Sequence, residues 1–182
     1  MGGPCFLRLN DNTRTRAPPC TDNFQVKPFD YNNKTWQSAE QAYQASKFTE
    51  EGIQEKIRSI KKAPNESDYD HGMTVWSVGQ EKGKVHPDWD KIKVDTMFDV
   101  NWAKYKSNPD LVAELLGTGK VPIDGAPSTG WRHPKLGYQD WSMWNGLIQM
   151  RVRELLRPEP EQDKEMLRQI EATFAMYRAG YP

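Results

Sequence analysis

The chain has 182 residues, the span of one domain, since single cores usually occupy about 100 to 200 residues. It carries 25 basic and 25 acidic residues and a net charge of zero, which excludes an overall basic footprint of the kind that follows a phosphate backbone and leaves only a local basic pocket open. Its two cysteines, Cys5 and Cys20, exclude a disulfide framework and a four-ligand zinc site and point to a reducing, cytoplasmic location.

In chain order, residues 1–20 hold prolines, glycines and scattered arginines without periodicity, and read as a loose N-terminal arm with a short strand at Cys5 to Leu9. The start "MGGPCF" has no signal-peptide run, and Phe6 stands where a myristoylation motif wants Ser or Thr. The domain proper is expected over 21–182. "FQVKPFDYNNKTW" turns at Tyr31 to Asn33 and suggests a small hairpin. Ser38 and Gln41 form an S-x-x-Q capping box that starts a helix running to about Glu51. Ile53, Ile57 and Ile60 continue at helical spacing until Pro64.

After a less regular stretch, Pro87 opens a helix whose apolar stripe is Val94, Met97, Phe98, Asn101, Trp102 and Tyr105. The charges at Asp88, Asp90, Lys91, Lys93 and Lys104 read as an acidic first turn and a solvated face. Asn108 caps a short helix with Pro109 at its first position, ended by Gly117. "KVPI" suggests a strand, and "DGAPSTGWRHPKLG" reads as a long loop carrying Trp131. Two helices follow, one facing Trp141, Trp144, Ile148, Val152 and Leu155 inward, the other running from about Glu161 to Arg178. Charged residues break every apolar run well short of the roughly 18 residues of a membrane span. The fold class is mainly α, a single compact helical domain with a few short β-strands.

Residues seven apart on a helix differ by roughly 20° around the axis, so Glu40 and Lys47 point the same way with Tyr43 and Gln44 between them. That face offers acid, hydroxyl, amide and amine. Glu40 could equally serve the helix dipole and Lys47 be solvated beside Glu50 and Glu51. Trp36 ahead of the cap and Trp131 in the later loop add the flat faces that a heterocycle joined to a sugar would use. His71, His86 and His133 lie far apart without metal-ligand spacing, and "LLGTGK" fails the phosphate-loop pattern at both ends.

The segments "TDNFQVKPFDYNNKTWQSAEQAYQASKF", "HPDWDKIKVDTMFDVNWAKY", "NPDLVAELLGTGKVPID" and "WNGLIQMRVREL", in that order, resemble the YbiA-like or NADAR family from about Thr21 to Leu156. The most specific element is Trp36-x-Ser38-x-Glu40 with Lys47 seven residues on. The resemblance implies a mainly helical N-glycosidase that cleaves a ribose–nitrogen bond. It implies phosphoribosylated pyrimidine intermediates of riboflavin synthesis or ADP-ribose attached to guanine as substrates.

Carried over by position, Glu40, Lys47 and Asp124 are the candidate catalytic residues. Asn23, Phe24, Trp36, Tyr43, Gln44, Trp131, Arg132 and Asn145 are candidates for substrate binding. The partner expected is a nucleotide-sugar or phosphoribosyl small molecule, with ADP-ribosylated nucleic acid as a further one. No membrane is expected, and no metal or redox cofactor is required. The chain departs from the family pattern at "PIDGAPSTGWR": Asp124 stands for a glutamate, Ser128 or Thr129 for an aspartate, and Arg132 for a glycine. Met143 stands where the family has asparagine, with Asn145 two residues on. These departures support a rival expectation, a catalytically inactive module that binds a nucleotide-sugar such as ADP-ribose or NAD.

Overall fold

The N-terminal residues are built into the body of the molecule. The computed structural model describes residues 3–11 and 13–181, so the arm's first two residues, residue 12 and the final residue lie outside it. Strand β1 (Cys5–Arg8) lies between β2 (Arg14–Arg16) and β5 (Ile123–Gly125), antiparallel to both, with Phe6 opposite Arg16 on one side and Asp124 on the other. Cys5 and Cys20 are fully buried, and burial pushes their thiols up to about 12 and about 11. The fully buried Lys104 donates to the carbonyls of Cys20 (2.8 Å) and Asp22 (3.1 Å), and burial lowers its amine to about 8. The expected loose arm is thus corrected, because its anchors are a strand more than 100 residues away and a buried cation that local composition does not reveal.

The hairpin β3 (Phe29–Tyr31) and β4 (Lys34–Trp36) turns at Asn32 and Asn33, whose φ of 51° and 59° suit the two-residue turns that match strand twist. It delivers Ser38 to the start of α1 (Ala39–Ser46), where Ser38 Oγ accepts from Gln41 N–H at 3.2 Å. The Gln41 side chain accepts from Gln37 N–H rather than closing the box on Ser38, and its amide donates to the carbonyls of Ile57 and Ile60. It thereby ties α1 to α2 (Glu51–Arg58). The helix expected to reach Glu51 stops at Ser46, because Phe48 bridges to Val85 and Thr49 N–H bonds the Lys84 carbonyl.

Helix α3 (Asp68–Val78) was not anticipated. It is capped by Ser67 but lacks a clean apolar stripe, and its Gly72 lies directly under Phe24, where a Cβ would come within 2.3 Å of the ring. Helix α4 (Trp89–Ser107) buries Val94, Met97, Asn101 and Tyr105 as expected, but also Lys93 and Lys104 from the supposedly solvated face. Helix α5 (Pro109–Gly117) begins at Asn108, whose side chain donates to the carbonyls of Pro28 and Lys104 instead of capping. The long loop expected over 124–137 is half strand: the end of β5 and then a hairpin of β6 (Gly130–His133) and β7 (Gly137–Asp140). His133 pins that hairpin, its Nε2 2.9 Å from the Tyr177 carbonyl and its Nδ1 accepting from Lys135 and Leu136 N–H, which places the ring proton on Nε2.

Helix α6 (Trp141–Leu156) and helix α7 (Lys164–Arg178) close the core against α4 with Trp144, Ile148, Ile170, Phe174 and Tyr177, while Leu155, expected inside, is exposed. The mainly helical expectation holds, with seven α-helices among the described residues, and three small antiparallel sheets occupy more of the chain than expected. No described helix is long and apolar enough to cross a membrane.

Two contacts have measurable consequences. At Gly146, α6 meets β5 so closely that a Cβ would fall 2.2 Å from the Ile123 carbonyl oxygen. Gly146→Ala is therefore expected to cost about 1–3 kcal/mol through overpacking, outweighing the roughly 1 kcal/mol of helix propensity gained. Thermal melting checks this, and an unchanged or higher Tm contradicts it. Glu154 is fully buried, accepting from Arg153, Arg157 and the amide of Asp163, each at 3.1 to 3.2 Å. Glu154→Ala strands the buried Arg153 guanidinium and is expected to lose about 3–5 kcal/mol in urea unfolding. A loss below about 1 kcal/mol would be that of an ordinary surface ion pair.

Candidate functional site

The site assembles where the C-terminal end of α1 meets α3, the start of α4 and the β6–β7 hairpin. Tyr43, Gln44 and Lys47 sit within one turn of each other on α1. They line a cavity of about 180 Å³ together with Trp76, Gln80, Trp89, Lys93, Thr129, Gly130, Trp131 and Trp141. Tyr43 is wedged between Trp89 and Trp141, at 5.0 and 5.4 Å between ring centroids, and Trp131 lies 5.1 Å from Trp141. These rings form a rigid aromatic wall of the sort that suits a flat heterocycle.

Two amines enter this wall. Lys47 is half-buried, and its Nζ donates to the Gly79 carbonyl at 2.9 Å, just beyond α3. Burial, and after it the charge of Lys93, hold the Lys47 amine below the ordinary lysine range. Lys93 lies one helical turn after Trp89, 7% exposed, its Nζ 4.2 Å from the centre of the Trp131 ring and 2.8 Å from Asp90 Oδ1. Burial also lowers the Lys93 amine, and the Asp90 carboxylate opposes that shift. Gly79 allows the close approach: a Cβ there would fall 2.2 Å from Gln44 Oε1.

Glu40 stands one residue layer behind the cavity. It is fully buried, its Oε1 accepts from Gln44 Nε2 at 2.7 Å, and its Oε2 has no hydrogen-bond partner among the described residues. Its N–H donates to the Asn23 carbonyl at 2.9 Å. Burial first, and then the nearby Glu40 carboxylate, push the Tyr43 hydroxyl far up. Farther in, Asn101 donates to Asn23 Oδ1 (2.9 Å), Asn23 to Asn145 Oδ1 (3.2 Å) and Gln149 to Asn101 Oδ1 (3.0 Å), a buried amide chain that ties Asn23, and through its carbonyl the start of α1, to α4 and α6.

The structure therefore brings Tyr43, Gln44, Lys47 and Trp131 to one cavity, with Glu40, Asn23 and Asn145 behind it. It does not bring the others there. Asp124 faces a different depression, held by Arg8 (2.6 Å) and Arg14 (3.3 Å), because β5 pairs with the N-terminal strand. Trp36 is buried in a separate cluster with its Nε1 donating to the Tyr31 carbonyl, and Phe24 packs against Gly72 and Tyr69. Arg132 is exposed next to Trp131 on β6, where successive side chains take opposite faces.

Sequence reading missed Lys93, Trp89, Trp141, Trp76 and Gln80. The four-residue step from Trp89 to Lys93 was the available signal, since it puts an aromatic and a cation on one helical face. A larger cleft of about 480 Å³ lies elsewhere, walled by Pro4, Ala17, Pro18, Pro19 and Tyr69, and it presents no lysine.

With this geometry in view, a family model described as the NADAR domain matches residues 12–127. Among curated proteins, the chain is similar to the N-glycosidase YbiA of Escherichia coli (strain K12), 29% identical over 102 residues, which are 56% of this chain and 58% of that protein. It is similar to the same extent to the N-glycosidase YbiA of Shigella boydii serotype 4 (strain Sb227). The chain thus spans 58% of the length of these curated relatives. Among solved structures, the NMR structure of the E. coli protein YbiA superposes with a TM-score of 0.56 at 25% identity, covering 75% of this chain and 77% of the other. The matched span contains Glu40, Lys47, Trp89 and Lys93, while Trp131 and Trp141 lie beyond it. On these findings the chain belongs to the NADAR family.

Proposed function

We propose that this chain is an N-glycosidase that hydrolyses the ribose–nitrogen bond of a phosphoribosyl or ADP-ribosyl conjugate in the Lys47 cavity. The observation that carries the reading is Lys47 itself: a half-buried amine, lowered by burial and by a neighbouring cation, opening onto an aromatic wall. A lowered amine spends a larger share of its time as the free nucleophile than an ordinary lysine does. Its Nζ attacks C1 of the ribose, the C1–nitrogen bond breaks, and the base leaves with the proton that Nζ gives up. The bond from C1 to the ring oxygen then opens, the oxygen taking a proton from water, and gives a protonated imine between Lys47 and C1. Water then adds to C1, releasing the sugar aldehyde and restoring the amine.

Positive charge accumulates on the sugar and then on the imine, so a carboxylate in a water-poor setting favours both. Glu40 supplies it from behind, through the hydrogen bond that orients Gln44 at the cavity wall. Trp131, Trp141 and Trp89 wall the base or the sugar, and Lys93 meets an anionic group. Asp124 has no part in this scheme, because the arginines of the N-terminal hairpin engage it elsewhere.

One observation favours a second reading, a module that binds a nucleotide-sugar without cleaving it: Thr129, one of the two residues standing for the family's aspartate, lines the cavity without a carboxylate. Incubation with a phosphoribosylaminopyrimidine and with ADP-ribosylated guanine, followed by mass spectrometry of base and sugar, separates the readings. Release from one of these substrates is expected. Intact substrates with retained ADP-ribose binding would leave the binding module.

A further inference from the structure

Lys93 holds a position that simple anion binding does not require. Its ammonium is nearly sealed from solvent, seated on the Trp131 ring at 4.2 Å and tethered to Asp90 at 2.8 Å, and it shares the cavity with Lys47. Asp90 is itself mostly exposed, with 71% of its side chain accessible, and does not line the cavity. A fixed positive charge beside a second amine disfavours that amine's protonation, and the effect grows as water is excluded.

We propose that Lys93 is the positioning cation that keeps Lys47 available as a free amine, and that Asp90 sets the strength of this effect by partly neutralising Lys93. The inference rests on the proposed function only in giving the free amine a purpose. Burial first, and the charge of Lys93 after it, hold the Lys47 amine low, the direction that the shared cavity of the two amines requires.

Other ionisable groups among the described residues belong to Lys47's own helix and to the elements beside it. Tyr43 and, behind Gln44, Glu40 belong to the same helix. His86 donates its backbone N–H to the Lys47 carbonyl, and Glu50 accepts from the Lys84 backbone N–H. From α2 and the turn after α3, Lys56 and Glu81 are engaged with each other. Among these, Lys93 and Asp90 form the cation and counter-charge that two substitutions can alter with opposite sign.

The test measures the Lys47 amine directly, without turnover: competitive labelling with acetic anhydride across pH 6 to 11, with peptide mass spectrometry giving the midpoint for Lys47 reactivity. Lys93→Met is expected to move that midpoint to higher pH, Asp90→Asn to lower pH, and Lys93→Arg to leave it near the parent value, because the arginine keeps the charge. Circular dichroism confirms that each variant is folded. A midpoint that does not move in folded Lys93→Met, or that moves in the same direction in Lys93→Met and Asp90→Asn, overturns the proposal. Shifts of opposite sign in a protein that releases no base uphold it while refuting the glycosidase reading.

Discussion

Lys47→Ala is expected to lower base release by at least about 10³-fold, since it removes the group that forms the bond to C1. The substitution deletes one partly exposed hydrogen bond, to the Gly79 carbonyl, so folding stability should change by no more than about 1 kcal/mol. Lys47→Arg is expected to be equally inactive although it keeps the positive charge, because a guanidinium stays protonated and cannot form the imine. Single-turnover assays at saturating substrate separate this from weakened binding. Substantial turnover by Lys47→Arg would mean that the residue serves as a charge and not as a nucleophile.

Glu40→Gln is expected to slow the reaction by about 10²–10³-fold with little effect on KM, because the carboxylate acts on charge that appears only in the transition state and the imine. The exchange keeps the shape of the side chain and an acceptor for Gln44. It also removes a fully buried carboxylate with one oxygen left without a hydrogen bond, so stability should hold or rise. Loss of activity with an unchanged or raised Tm is the expected pair of results. Wild-type kinetics in a folded Glu40→Gln protein would reduce Glu40 to a structural partner of Gln44.

The part of this site that lies on one helix was legible in the sequence, because a helix converts spacing into direction: Glu40, Tyr43, Gln44 and Lys47 fall on one face wherever α1 sits. Ser38 announced its start. The rest comes from tertiary neighbours that spacing does not encode. Lys93 read as a solvated charge because the helix that carries it is buried on more than one side, and its partner Trp131 comes from a hairpin that composition marked only as turns. Asp124 was placed by family position, whereas its pairing with β1 carries it to another surface. Phe24 was placed by family position alone, and Trp36 also read as a binding aromatic because residue type does not distinguish a wall of the cavity from a wall of the core. Helix α3 was missed because Gly72 and its polar neighbours blur the periodicity, although Gly72 is what lets Phe24 pack against that helix.

The central claim, that Lys47 forms the bond to the sugar, is tested most directly by trapping. The protein is incubated with ADP-ribosylated guanine or a phosphoribosylaminopyrimidine in the presence of borohydride, and the adduct is located by peptide mass spectrometry. The expected result is the mass of the reduced sugar chain on Lys47, with base released in equal amount, and no adduct in Lys47→Ala. An adduct that persists in Lys47→Ala, or base release without any trapped lysine, would contradict the account.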